Sequence, residues 1–297
     1  MARSDVLSSV DAVLAAMEEQ SYVADQGLAT AVFLAAKLGK PLLVEGEPGC
    51  GKTEIAKVLA AATGGELVRL QCYEGLDANA SLYEWNYAKQ LLTIRLHERD
   101  RDAGDLETEI FGERFLLRRP LLQVLTADGP VPPVLLIDEV DRADEEFEGL
   151  LLEILSEYQV TIPELGTIKA KAIPRVVITS NRTRELSDAL KRRCLYVYLG
   201  FPSLEKEVAI LRRKVPALED GFARDIATFV QRVRAEEDLV KRPGIAETLD
   251  WAAALLALGE HGVRRNVVEQ TLGFLVKDAQ DLKSLRPARL DALLGTT

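Results

Sequence analysis

The run Gly46-Glu47-Pro48-Gly49-Cys50-Gly51-Lys52-Thr53 constrains this chain more than any other segment. It follows an apolar stretch, Pro41–Gly46 (PLLVEG), and precedes a helix-compatible one, Thr53–Thr63. A strand that turns through glycines straight into a helix leaves successive N–H groups unpaired at the positive end of the helix dipole. Glycines allow the tight turn that points those groups the same way, and such a concavity holds phosphate oxygens. The spacing G-x-x-x-x-G-K-[ST] adds an ammonium for the β- and γ-phosphates and a hydroxyl for Mg2+. The cradle is therefore expected over Glu47, Pro48, Gly49, Cys50, Gly51, Lys52, Thr53 and Glu54. The bland alternative, a chance glycine-rich turn, does not account for the strand–loop–helix context.

Further strands are expected at Leu67–Tyr73, Val134–Asp138, Arg175–Ser180 and Tyr196–Gly200, alternating with helices at Leu28–Leu38, Pro120–Ala127 and Glu145–Tyr158. That alternation predicts an α/β fold, a parallel sheet covered by helices. Asp77–Gly112 is charged and weakly periodic; Gln159–Ile173 reads as a β-hairpin about a Pro-Glu-Leu-Gly turn that projects from the body. After Pro202 the patterns are helical almost without exception. The expected division is an αβα nucleotide-binding domain over residues 1–202 and a small all-α domain over residues 203–297, with Ser203 capping its first helix.

Two strand ends carry candidate chemistry. Val134-Leu135-Leu136-Ile137 leads into Asp138-Glu139. An acid at the end of a strand buried on both faces needs a cation, so Asp138 is the candidate to hold Mg2+ through water. Glu139 is the candidate base for an attacking water. Alone, the pair would read equally well as solvated acids; behind a phosphate loop the catalytic reading prevails. Asn181 ends the strand Arg175–Ser180, where a parallel sheet presents ligand-contacting residues. Asn is also a common turn-former, and only its position after Asp138-Glu139 favours a phosphate-sensing role.

Composition narrows the field. Acids outnumber bases 47 to 37, a net charge of −10, which argues against nucleic acid as the partner because phosphate binding runs on excess Lys and Arg. Three cysteines and two histidines are too few and too scattered for a disulfide framework or a zinc cluster. Cys72 and Cys194 read as core residues and Cys50 as a backbone contributor to the loop; His97 and His261 read as surface residues, and Trp85 and Trp251 as packed ones. No stretch approaches the ~18 apolar residues of a membrane span, and the opening segment reads as an amphipathic helix rather than a targeting peptide. The expected location is cytoplasmic.

The order phosphate loop, Asp-Glu strand, Asn-ending strand and small α-domain resembles the AAA+ ATPases. Within them, Asp138-Glu139-Val140-Asp141-Arg142-Ala143 resembles the Asp-Glu-x-Asn-Arg-Ala signature of the MoxR branch, with Asp141 in place of Asn. Leu151–Ile162 is similar to that branch's helix-2 insertion, and Asn181–Cys194 with Ile245–Leu256 is most similar to the CoxD-type members. The resemblance implies an ATPase with ATP and Mg2+ as ligands, working as a homo-oligomeric ring, typically a hexamer. It implies an arginine finger at Arg193, with Arg192 as the alternative, acting on the neighbouring subunit's ATP, and a sensor-2 role for Arg242, with Lys241 as the fallback. It further implies a von Willebrand A domain partner and a metalloenzyme client whose maturation or cofactor insertion the motor drives. A nucleic-acid-remodelling motor of the helicase kind is the alternative.

Overall fold

The computed structural model describes residues 6–97, 109–285 and 287–295. In chain order the elements are α1 (Val10–Glu19), α2 (Gln26–Leu38), β1 (Leu42–Gly46), α3 (Lys52–Thr63), β2 (Leu67–Gln71), α4 (Ala78–Ser81), β3 (Tyr83–Trp85), α5 (Tyr87–His97), β4 (Leu116–Arg118), α6 (Pro120–Leu125), β5 (Val134–Asp138), α7 (Glu145–Glu157), β6 (Gln159–Ile162), β7 (Gly166–Lys169), β8 (Arg175–Ser180), α8 (Asp188–Arg193) and β9 (Leu195–Leu199). They continue with α9 (Leu204–Lys214), α10 (Asp220–Arg234), α11 (Ile245–Ala257), α12 (Arg265–Thr271), α13 (Ala279–Ser284) and α14 (Pro287–Leu294). No helix among the described residues is long and apolar enough to cross a membrane.

The chain divides into two compact units. The first holds residues through Ala16, Asp25–Glu45 and Thr53–Tyr198; the second holds Met17–Ala24, the phosphate loop Gly46–Lys52 and everything from Leu199 onward. The main sheet has the order β2-β5-β8-β1-β9, with β2–β5, β5–β8 and β8–β1 all parallel. Every residue of β5 is buried, as unbroken apolar runs in a doubly covered sheet require. Leu43, Leu135, Ile137, Val176 and Ile178 form the centre of this unit's core. β2 ends at Gln71 rather than Tyr73 because its partner ends there: Gln71 is opposite Asp138, and the ladder closes with Cys72 N–H on the Asp138 carbonyl, 2.9 Å.

The hairpin forms as β6 and β7, but it does not simply project. Val160 and Ile162 are 3% and 0% exposed and belong to the main core, so one side of β6 is sealed while β7 lies largely exposed. In the 77–112 stretch, β3 pairs antiparallel with β4, and Trp85 packs edge-on against Tyr83 and Phe111. Residues 98–108 of that stretch lie outside the described residues, as does the His97 side chain.

In the second unit, Trp251, Phe229, Ile226, Leu255 and Val268 form a separate core, and the Trp251 indole N–H donates to Thr271 Oγ1 at 2.8 Å. Ser203 caps α9 by accepting from Lys206 N–H. His261 is exposed.

Candidate nucleotide site

The phosphate loop is shaped by two glycines with left-handed backbones, Gly49 (φ 74) and Gly51 (φ 87), a region costly for residues bearing a Cβ. Lys52 is buried, and its Nζ donates to the carbonyls of Gly46 (2.8 Å) and Glu47 (2.7 Å). The loop is held within its own unit by the start of α11. Ile245 N–H donates to the Gly49 carbonyl at 2.9 Å, and a Cβ on Gly244 would fall 2.8 Å from both Gly49 Cα and the Pro48 oxygen. Gly244 N–H in turn donates to Glu247 Oε2, 3.0 Å.

Behind this turn lies a buried ion pair. Arg234 forks onto Glu207 through Nη1–Oε2 (2.6 Å) and Nη2–Oε1 (2.7 Å). Its Nε donates to the Pro243 carbonyl at 2.6 Å, one residue before Gly244. Thr248 and Gln231 donate to the Glu207 carboxylate at 3.0 and 2.7 Å, so the carboxylate is fully satisfied, as a buried charge must be. Burial pushes the Cys50 thiol up to about 11, against the pull of Lys52 and Arg234. It stays protonated at neutral pH, in keeping with a backbone contribution only. Arg242 is exposed and has no hydrogen bond or ion pair among the described residues.

In the first unit, the parallel register brings Gln71, Asp138 and the end of β8 together where these strands finish: Gln71 stands opposite Asp138, and Ile137 opposite Ile178. Asp138 is buried. Its Oδ1 accepts from Thr53 Oγ1 (3.0 Å) and Thr179 Oγ1 (2.6 Å), and its Oδ2 from Arg69 Nη2 (2.6 Å). Glu139 has a left-handed backbone, φ 55 and ψ 51. Its carboxylate is held from two sides, by Asn181 Nδ2 at 3.3 Å and Gln71 Nε2 at 3.2 Å. Thr53, Asp138, Glu139 and Asn181, read from separate parts of the sequence, thus meet in one cluster. Glu54 pairs with Lys57 at 3.3 Å on the exposed side of α3.

Asp141 organises the loop that follows β8. Its Oδ1 accepts from Asn181 N–H (3.1 Å), and its Oδ2 from Thr183 N–H (2.8 Å) and Thr183 Oγ1 (2.7 Å). Burial pushes its carboxyl up, but the Thr183 and Asn181 hydrogen bonds outweigh it, and the group sits below its ordinary value. Arg193 Nε donates to Ser156 Oγ (2.8 Å) and its Nη1 to the Ala189 carbonyl (3.1 Å). The neighbouring Arg192 is exposed and has no such bond among the described residues.

Arg69, Gln71 and Thr179 are not legible as site residues from the sequence. A Thr inside an apolar strand and two polar residues alternating along LVRLQ look like ordinary strand faces, and only the register shows that they reach Asp138 and Glu139. Arg234 and Glu207 lie 27 residues apart on two amphipathic helices, with no local signature.

Residues 41–194 match the AAA domain model of the dynein-related subfamily. The gas vesicle ATPase GvpN1 of Halobacterium salinarum is 23% identical over 260 residues, covering 84% of this chain and 72% of that protein. The chaperone MoxR1 of Mycobacterium tuberculosis is 26% identical over 180 residues, covering 58% of this chain and 39% of that protein. Among solved structures, a RuvB mutant of Thermotoga maritima is similar with a TM-score of 0.49 at 20% identity, over 91% of this chain and 79% of that one.

Proposed function

The chain belongs to the dynein-related subfamily of AAA domains and is an ATPase, and from that premise we propose that it is a MoxR-like remodelling chaperone of the CoxD type. In this reading, ATP hydrolysis drives maturation of a metalloenzyme or insertion of its cofactor. The loop amides and Lys52 bind the phosphates, and Lys52 exchanges its present loop-carbonyl partners for phosphate oxygens. Thr53, next in the chain, presents its hydroxyl beside the Asp138 carboxylate. These are hard oxygen donors that suit Mg2+. Bound there, the ion would neutralise phosphate charge.

Glu139 accepts a proton from the water that attacks the γ-phosphorus, and ADP and phosphate leave. Asn181 reports the state of the γ-phosphate to Glu139 through their existing contact. An arginine of the neighbouring subunit stabilises charge in the transition state, which suits a guanidinium that forks onto phosphate oxygens. Arg193 is the residue expected from the resemblance; its ties to Ser156 and Ala189 make Arg192 the one already available. Arg242, exposed before α11, is the proposed sensor 2. The working division remains a nucleotide-binding domain to residue 202 and a helical domain from residue 203, in a cytoplasmic assembly that is hexameric by family precedent and has a von Willebrand A domain partner.

The observation that carries this reading is the junction of Thr53, Asp138, Glu139 and Asn181 at the C-terminal ends of β5 and β8. A protein client is favoured over nucleic acid because the chain carries a net charge of −10 and Lys171, beyond β7, is already paired with Asp128 at 2.8 Å. One relative also bears the name of a chaperone. Phosphate release by the wild-type protein, set beside a Glu139→Gln variant that binds ATP and fails to turn it over, tests the chemistry. Affinity capture on that trapped variant tests the client: a metalloenzyme or its maturation partner is expected, and DNA-stimulated, salt-sensitive hydrolysis would refute the reading.

A further inference from the structure

Asp138 is 3% exposed, and a carboxylate at that depth needs a counter-charge. Its two oxygens are used differently. Oδ1 takes two neutral hydroxyls, Thr53 and Thr179. Oδ2 takes the Arg69 guanidinium, Nη2 at 2.6 Å. The same Nη2 lies 2.6 Å from Gln71 Oε1, so the guanidinium is aimed by two partners rather than one. Arg69 stands on β2, the strand at the edge of the sheet, and its side chain is 53% exposed. It can therefore leave Asp138 for water with little repacking, whereas Asp138 cannot follow.

We infer that Arg69 is a resident counter-cation: it occupies the Oδ2 side of Asp138 until a metal–nucleotide complex takes that carboxylate, and it is then released. The inference rests on the reading of Thr53 and Asp138 as the magnesium-side groups. A tethered guanidinium and a divalent cation compete for one carboxylate, so Arg69 raises the Mg2+ concentration at which nucleotide binding tightens. It also keeps Asp138 neutralised when no nucleotide is present. Arg69 is a positioning residue in this scheme, since it acts on Asp138 and not on the reacting atoms.

The test uses the full chain, a slowly hydrolysed ATP analogue and calorimetry over a range of Mg2+ concentrations. Arg69→Met, which keeps the stem and removes the charge, is expected to lower the half-saturating Mg2+ concentration about five- to tenfold, the range for a charge-assisted bond with one exposed partner. Arg69→Lys, which keeps a cation in place, is expected to stay near wild type. Melting gives a second readout that a merely structural ion pair would not produce. Arg69→Met should melt below wild type without ligand, and the difference should close once Mg2+ and the analogue are bound. An unchanged or raised Mg2+ requirement in Arg69→Met overturns the inference while leaving the nucleotide site intact. A melting difference that persists unchanged with ligand overturns it too. If the wild-type protein binds no analogue at any Mg2+ concentration, the site reading fails and the inference falls with it.

Discussion

Replacing Arg234 with Ala should damage the second unit first and the phosphate loop through it. The Arg234 and Glu207 side chains are 5% and 0% exposed. Truncating the arginine leaves the Glu207 carboxylate buried with only Thr248 and Gln231 as donors. Breaking a buried pair from one side costs about 3–5 kcal/mol. For a unit on the order of 100 residues, that lowers the melting temperature by more than about 10 °C. The Pro243 carbonyl also loses its donor, two residues from the Ile245 N–H that holds Gly49. A loss of about 1 kcal/mol of loop order is the scale of one hydrogen bond, a several-fold drop in nucleotide affinity. The assay is urea unfolding followed by tryptophan fluorescence, since Trp251 lies in this core, with nucleotide titration of the folded protein. The control is Arg234→Met combined with Glu207→Leu, which removes both charges and should recover most of the stability without recovering nucleotide affinity, because the bond to Pro243 stays broken. A loss below about 1 kcal/mol for Arg234→Ala, or a double variant no more stable than the single one, would refute the reasoning.

Lys52→Ala should abolish nucleotide binding measured by calorimetry, and Glu139→Gln hydrolysing at the normal rate would show that the base is elsewhere. Inactive Arg193→Ala chains mixed with inactive Glu139→Gln chains should regain phosphate release at shared sites; assembled mixtures without recovery would exclude action in trans, and an Arg193→Ala chain that stays active alone while Arg192→Ala is inactive would move the finger to Arg192. Gly244→Ala puts a methyl 2.8 Å from Gly49 Cα and should weaken nucleotide binding by tenfold or more, on the order of 1.4 kcal/mol, with less effect on unfolding. Asp141 sits below the ordinary carboxylate range. Its contribution to stability is therefore full above that range and is lost as pH falls through its native value. Asp141→Asn should lose stability at neutral pH, because an amide oxygen cannot accept from all three donors, and should show a shallower decline on acidification in urea midpoints.

What the chain reveals before folding is whatever depends on neighbours in sequence. The strand β5 and the loop before α3 are legible because four apolar residues, or a fixed glycine spacing, act within a few residues. The cap at Ser203 works over three residues and is equally local. The partners of Glu139 are not legible, because Gln71 ends β2 and Asn181 follows β8, 68 and 42 residues away, and only the parallel register brings those strand ends together. The 77–112 stretch resists reading for another reason. α5 buries polar Gln90 and Thr93 while Leu91, Leu92 and Leu96 face outward, so the usual link between apolar periodicity and the core is reversed. The expectation of a projecting hairpin fails on Val160 and Ile162. The alternation along β6 is visible in the sequence, but which side finds a surface to cover is not.

Position 139 bends the main chain into a shape that glycine adopts freely and glutamate only at a cost of about 1 kcal/mol or more. Durability and turnover therefore pull this site in opposite directions. A library sorted only for heat resistance would tolerate or enrich inactive chains carrying Glu139→Gly, while one sorted for phosphate release would hold glutamate against the gradient. Ancestral or consensus sequences rebuilt for robustness should be checked at this codon before their catalysis is trusted.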